Sequence, residues 1–297
     1  MMRITSLQLK TQNPAQAVAF YTTILGLTLQ EKFENSTGTV YILQFPEGNA
    51  HLELWYNPTN TTTESYQQDA QDNYWKYSVF VEDIQQAHRF FKNKGISSNE
   101  PYQFGDIGYL MHTKDQESYQ IEFIQKSFQQ NTPTDASEPK FSDTTGPLSL
   151  GLLTLRTKDP VKSIQFYEQF LGLKLLVRMY VERGSGFTLY FLGRKDLTPP
   201  SADIDALENR EWLYHQKEAF IELQYYWGSE HQADFSLQAN HAKQAGLKQI
   251  KFASENLDNF RKLLKAKKQT YVEGFDTSSQ QPWVQIMTPD KHPIVIE

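Results

Sequence analysis

Apolar and polar residues alternate along Ile4–Thr11 and recur in strand-length runs through the chain. A period of two places successive side chains on opposite faces of a strand. Between these runs the period changes. Ala17, Phe20 and Ile24 fall at i, i+3, i+7, and so do Ile164, Tyr167 and Leu171, which is one apolar stripe along a helix. Asn13-Pro14 precedes the first stripe and Asp159-Pro160 the second, while Gly26 and Gly172 follow them. Asn or Asp is an N-cap, Pro at the first helical position sacrifices an N–H that has no partner there, and Gly accepts the left-handed stop.

The pattern predicts strands at Ile4–Thr11, Leu27–Glu34, Thr39–Phe45 and His51–Tyr56 around the first helix. It predicts others at Leu148–Thr157, Lys174–Glu182, Phe187–Leu192 and Ala219–Tyr226 around the second. The same grammar returns without the proline. Tyr74–Val81, a helix at Ile84–Lys94, Ile107–Thr113 and Tyr119–Ile124 form one such block. Gln249–Ala253, a helix at Leu257–Lys267, Trp283–Met287 and Pro293–Ile296 form the other. Internal repetition is therefore the dominant signal. Asn13-Pro14, Phe20-Tyr21 and Leu25-Gly26-Leu27 reappear 146 positions later as Asp159-Pro160, Phe166-Tyr167 and Leu171-Gly172-Leu173. Glu53 matches Glu222 at a displacement of 169, and Glu122 is set against Val295 at 173, which calls for insertions within Arg194–Lys217 and Gly228–Leu247. The segment Lys126–Pro147 is polar and rich in Pro, Thr and Ser, the composition of a linker. The expectation is an α+β protein of two tandem domains, 1–125 and 148–297 joined by 126–147. Each domain would pair two β-α-β-β-β modules into a cupped mixed sheet.

The charge balance and the missing cysteines narrow the chemistry. A net charge of −6 argues against a nucleic-acid partner, which usually meets a basic face. The absence of Cys removes disulfides, thiolate metal sites and a thiol nucleophile, so any metal would need His and carboxylates. No apolar run approaches the roughly 20 residues of a membrane helix, and the first residues carry no apolar leader. These readings point to a cytoplasmic monomer or homodimer with a small-molecule ligand, with neither a membrane nor a nucleic acid as partner.

Asn/Asp-Pro, Phe-Tyr and Leu-Gly-Leu in a strand–helix–strand setting resemble the vicinal-oxygen-chelate superfamily of glyoxalase, bleomycin-resistance and extradiol-dioxygenase proteins. The third module is most similar to glyoxalase I, through Leu155-Arg156-Thr157-Lys158-Asp159-Pro160, Phe187–Gly193 and Glu222-Leu223-Gln224-Tyr225-Tyr226-Trp227-Gly228. That resemblance implies a divalent ion acting as Lewis acid beside a proton-moving carboxylate. Carried onto this chain, the family's ligand positions fall on Ser6, Glu53, Lys76 and Glu122, and on Leu152, Glu222, Gln249 and Val295. None is a histidine. The residual metal set is Glu53, Glu122 and Glu222, with His51 on the same strand face as Glu53. Glu122 and Glu222 are the candidate catalytic carboxylates. The positions that hold glutathione in glyoxalase I fall on Arg156 and Asn57, with Lys10 and Tyr226 at their counterparts.

Whether modules pair within a domain or crosswise is left open by the sequence. Under either arrangement Lys76 and Glu122 share a cavity with one more glutamate, so Lys76 is a candidate ligand-binding residue and an ammonium stands where an ion would be needed. The favoured expectation is a degenerate metal site with no cofactor and a small metabolite bound in the cup. The alternative is a divalent-metal-dependent, glyoxalase-I-like lyase acting on a thiol hemithioacetal.

Overall fold

The computed structural model describes residues 2–35, 38–59, 66–132, 144–239, 245–276 and 281–297. His241 and residues 133–143, half of the 126–147 segment, lie outside them. The first module comprises β1 (Met2–Thr11), α1 (Pro14–Thr23), β2 (Thr28–Asn35), β3 (Gly38–Gln44) and β4 (His51–Tyr56). The second holds β5 (Tyr74–Val81), α2 (Ile84–Asn93), β6 (Tyr102–Phe104), β7 (Gly108–Lys114) and β8 (Gln120–Gln125). The third holds β9 (Leu148–Thr157), α3 (Pro160–Leu171), β10 (Leu173–Val181), β11 (Phe187–Arg194), α4 (Glu208–Tyr214) and β12 (Phe220–Tyr226). The fourth holds β13 (Gly246–Ser254), α5 (Leu257–Ala266), β14 (Tyr271–Asp276), β15 (Gln281–Met287) and β16 (Pro293–Ile296).

The helix boundaries follow the capping grammar. Asn13, Asp83, Asp159 and Asn256 each accept a hydrogen bond from the backbone N–H three residues on, at 3.2, 3.0, 3.2 and 2.9 Å. Gly172 ends α3 at φ 61°, a left-handed conformation that costs glycine nothing.

Two eight-stranded, curled sheets result, in the orders β14-β15-β16-β13-β1-β4-β3-β2 and β10-β11-β12-β9-β5-β8-β7-β6. The modules therefore pair crosswise, first with fourth and second with third. The contiguous stretches 1–125 and 148–297, read from the linker composition as two domains, each contribute one module to each sheet. The seams explain this arrangement. β1 runs antiparallel to β13 from Met2↔Ser254 to Lys10↔Gly246, and β5 to β9 from Tyr74↔Leu155 to Val81↔Leu148. Each seam joins the first strands of its two modules and leaves no unpaired edge between them. Helix-side residues of both sheets, among them Leu7, Leu9, Tyr77 and Leu153, merge into one continuous apolar cluster with Phe20, Tyr21, Phe91 and Tyr167.

Three elements were not foreseen. β6 is three residues long, and β14 is an edge strand that carries exposed Val272 and Phe275 instead of a buried row. The third, α4, lies in the Arg194–Lys217 insertion and has the largest consequence. Its Leu213 and Tyr214 pack with Phe80, Leu152, Met179, Phe191 and Phe220 on the inner face of the second sheet, the face turned away from α2 and α3. The start of the linker is drawn in as well. Phe128 is buried in the same cluster, and Glu211 accepts hydrogen bonds from Phe128 N (2.6 Å) and Asn131 Nδ2 (2.8 Å). Among the described residues no helix is long and apolar enough to cross a membrane.

Candidate functional site

Each sheet buries charge on its inner face, and strand register determines which side chains meet. In the second sheet Lys76 lies opposite Thr154 across the β5–β9 seam, while Glu122 pairs with Ser78 on β5 and with His112 on β7. Glu222 on β12 pairs with Thr154. The Lys76 Nζ sits 2.6 Å from Glu122 Oε2, 3.5 Å from Glu222 Oε2 and 3.2 Å from Thr154 Oγ1. Ser78 Oγ donates to Glu122 Oε2 at 2.7 Å, His112 Nε2 lies 2.9 Å from Glu122 Oε1, and the Thr154 hydroxyl donates to Glu222. Lys76 is 2% exposed. Such a cation survives in a dry interior only when its partners are ionised and closely placed.

The titration shifts agree with that packing. Burial alone would push the Glu122 carboxyl up, but the Lys76 ammonium and the His112 contact hold it well below the usual carboxylate range. Burial lowers Lys76 while Glu122 and Glu222 more than compensate, so it stays charged. Glu222 moves upward because burial and the nearby Glu122 charge outweigh its contacts with Lys76 and Thr154. One carboxylate and one ammonium thus form the ion pair, and Glu222 closes the cluster as the more protonated partner.

The first sheet holds a second version. Glu53 Oε2 lies 3.0 Å from Lys251 Nζ and 2.6 Å from Gln8 Nε2, and its Oε1 lies 2.8 Å from Ser6 Oγ and 3.6 Å from His51 Nε2. Lys251 Nζ also reaches Glu297 Oε1 at 3.7 Å. Burial would raise the Glu53 carboxyl, yet His51, Lys251 and Ser6 bring it down to about 2.

This corrects the assignment of Gln249 and Val295 to ligand positions. Thr113-Lys114-Asp115…Ile121-Glu122 matches Thr288-Pro289-Asp290…Ile296-Glu297 without a gap, displaced by 175 positions (122 to 297). At that offset Lys251 is the counterpart of Lys76 and Glu297 that of Glu122. Both inner faces therefore carry a glutamate–lysine–glutamate cluster.

The remaining expected residues are placed as follows. Glu53 stands in the other sheet from Glu122 and Glu222, so the three glutamates do not form one ligand set. Leu152 is an apolar wall residue, and Thr154, two positions on, is the polar group that reaches the cluster. Arg156 is buried and donates to the backbone oxygens of Asp69 (2.7 Å) and Asp72 (2.8 Å), which pins the 66–73 segment. Asn57 lies in the first sheet's module and closes a turn by accepting from Thr59 N at 3.0 Å. Arg156 and Asn57 are thus tied to separate modules. His112, set outside the ligand positions by the sequence, meets Glu122 through hairpin register. Among the described residues no group of three or more His, Asp or Glu side chains is arranged to hold a metal ion. The chemistry of the donor set agrees: an ammonium occupies the space between the carboxylates in each sheet, and a divalent ion there would meet its charge at van der Waals range.

Residues 3–123 match the model of the Glyoxalase/Bleomycin resistance protein/Dioxygenase superfamily. Individual proteins to which the chain is similar include glyoxalase I and lactoylglutathione lyase. The chain is 25% identical over 261 residues to "Glyoxalase I" of Saccharomyces cerevisiae, which spans 80% of this chain and 73% of that protein. It is 40% identical over 76 residues to a lactoylglutathione lyase of Pseudomonas aeruginosa, 26% of this chain and 41% of the relative. The fold matches the crystal structure of glyoxalase I from Zea mays with a TM-score of 0.69 at 19% identity, covering 100% of this chain and 92% of that one.

Proposed function

We propose that this protein is a glyoxalase-family binding module in which buried lysines replace the divalent ion and an open cup receives a small metabolite. The observation that carries this reading is the placement of Lys76 Nζ between Glu122 and Glu222, repeated by Lys251 between Glu53 and Glu297. A lysine of fixed charge satisfies those carboxylates without offering the open coordination position that Lewis-acid chemistry requires. The cysteine-free, acidic composition suits a cytoplasmic protein acting as monomer or homodimer.

A second reading is favoured by the 25% identity to yeast glyoxalase I. It is a metal-dependent lyase acting on a thiol hemithioacetal. In it Glu122 and Glu222 would hold the ion and move the substrate proton, Lys76 having swung aside. Elemental analysis of the purified protein, with a hemithioacetal assay before and after adding zinc or nickel, separates the two. The binding reading expects far less than one transition metal per chain and no turnover under either condition. One tightly held ion per chain with metal-dependent turnover would replace it by the lyase.

A further inference from the structure

Outside both cups, on the helix side of the sheets, a hollow of about 380 Å³ opens to solvent where the ends of α1 and α2 approach the turn after β7. Part of its wall is apolar: Phe20 and Ile24 come from α1 and its C-cap, and Ile96 from the residues that follow α2. Lys94 and Lys114 line the same hollow. Lys94 is the C-cap of α2, a place that favours a cation, and Lys114 ends β7. Both lysines are exposed, and among the described residues neither forms an ion pair; Lys94 Nζ lies 5.7 Å from the centroid of the Phe90 ring. A concave, largely apolar wall with a few polar groups converging on it is the usual form of a small-ligand site.

The remaining wall residue of consequence is a buried carboxyl, Asp115. Its Oδ2 accepts from the Tyr21 hydroxyl at 2.8 Å, and its Oδ1 from the N–H groups of Glu117 and Tyr119, each at 2.9 Å. Burial outweighs these hydrogen bonds and, with the charge of Glu117, pushes it up to about 7. Tyr77 stands behind Tyr21, and Glu117 is turned to Thr11 Oγ1 and the N–H groups of Gln12 and Asn13. An apolar chain laid over Asp115 would strip further water from it and favour its neutral form. The equivalent place in the other half is filled. Phe170 stands 146 positions after Ile24, and Pro289 stands 175 after Lys114. The Phe170 ring is buried 5.0 Å from that of Phe166, and α3 packs against α5. A bulkier side chain takes the space there, and one of the two ammonium groups is gone.

We propose that the hollow between α1, the end of α2 and the turn after β7 binds a small apolar carboxylate, its chain against Phe20, Ile24 and Ile96 and its head between Lys94 and Lys114. The site lies outside both cups, so it goes beyond the binding-module reading, and the failure of either leaves the other intact. Calorimetric titration of the full chain with octanoate tests it on wild type, Lys94→Met, Lys114→Met and Ile24→Phe, with Lys267→Met, the counterpart of Lys94 in the fourth module, as control. The expected result is one saturable site, about tenfold weaker in each lysine variant because a charge-assisted contact is lost, and unchanged in the control. Ile24→Phe copies the filled half and should abolish binding without lowering the melting temperature. Binding should also be weaker at pH 8 than at pH 6, where Asp115 is neutral, and Asp115→Asn should remove that difference. Absence of saturable binding, binding that Ile24→Phe leaves unchanged, or an affinity indifferent to both lysines each overturns the proposal. Melting temperatures of the lysine variants, expected to match wild type, exclude unfolding as the cause.

Discussion

The two sheets begin from the same module and the same charge cluster, yet among the described residues only the second has its inner face filled by an inserted helix. In the second sheet, α4 lays Leu213 and Tyr214 over the apolar wall, and Phe128 closes the side. Lys76 is left 2% exposed. In the first sheet, the side chains of Lys251 and Glu297 are 13% and 35% exposed, and Met287 on an outer strand faces solvent. Duplication kept the buried ion pair in both. The insertion that carries α4 fills the inner face of the second sheet with core.

The largest effect expected from this difference concerns the lysines. Lys76→Ala leaves buried carboxylates without a counter-charge, which costs about 3–5 kcal/mol for a pair this dry. Lys251→Ala should cost less, because the buried Glu53 keeps Ser6, Gln8 and His51 as partners and Glu297 is partly open to water. Urea denaturation of both variants at pH 7 measures the difference; equal losses would mean the second cup is not sealed. Repeating the experiment in acid sharpens it. Glu122 titrates below its unfolded value because of Lys76, so this stability is complete above the unfolded carboxylate range and disappears as the pH falls toward the folded value. The penalty of Lys76→Ala should shrink accordingly.

Emptying the plug comes next. Leu213→Ala should cost about 2–5 kcal/mol, as large-to-small changes at buried sites do. A loss under ~1 kcal/mol would show that α4 only rests on the sheet. Glu53 gives a third, similar-sized effect. Its folded value near 2 against an ordinary 4.5 amounts to roughly 3 kcal/mol at neutral pH, present above 4.5 and lost as the pH falls through 2. Glu53→Gln should flatten the melting temperature between pH 5 and pH 2, roughly the window set by those values. The smallest effect is local. Lys248→Met should raise the Lys10 titration from about 8, read by the carbon shift next to its ammonium. An unmoved titration would separate the two lysines in space.

Much of this architecture could be read from the chain, and the omissions have physical causes. Caps, prolines and stop glycines are local, so α1 and α3 were legible almost to the residue. The crosswise pairing was not, because any first strand offers the same hydrogen-bonding edge to any other and only the full set of seams decides between them. Lys76 and Glu122 were expected to share a cavity with one more glutamate under either pairing, and the crosswise arrangement makes that glutamate Glu222. Thr154 and His112 were missed because they enter through cross-strand register, and Lys251 with Glu297 because a two-residue slip in a short strand moves the pairing without disturbing the face pattern. Arg156 was legible as a cation, but the backbone oxygens it clamps belong to a loop whose path the sequence does not announce. α4 was hidden inside an insertion that reads as polar and proline-flanked, and its seven residues are too few for a clear periodicity.

Lysine accessibility tests the contrast between the cups most directly. The native protein can be treated with an amine-acylating reagent at pH 8, where Lys10 is partly deprotonated, and the modified lysines followed over time by peptide mass spectrometry. Lys10 and Lys248 should be acylated early and Lys251 more slowly, with Lys76 unmodified until the protein is unfolded. Modification of Lys76 at the rate of Lys248 in the folded protein would contradict a sealed second cup and, with it, the contrast between the two sheets.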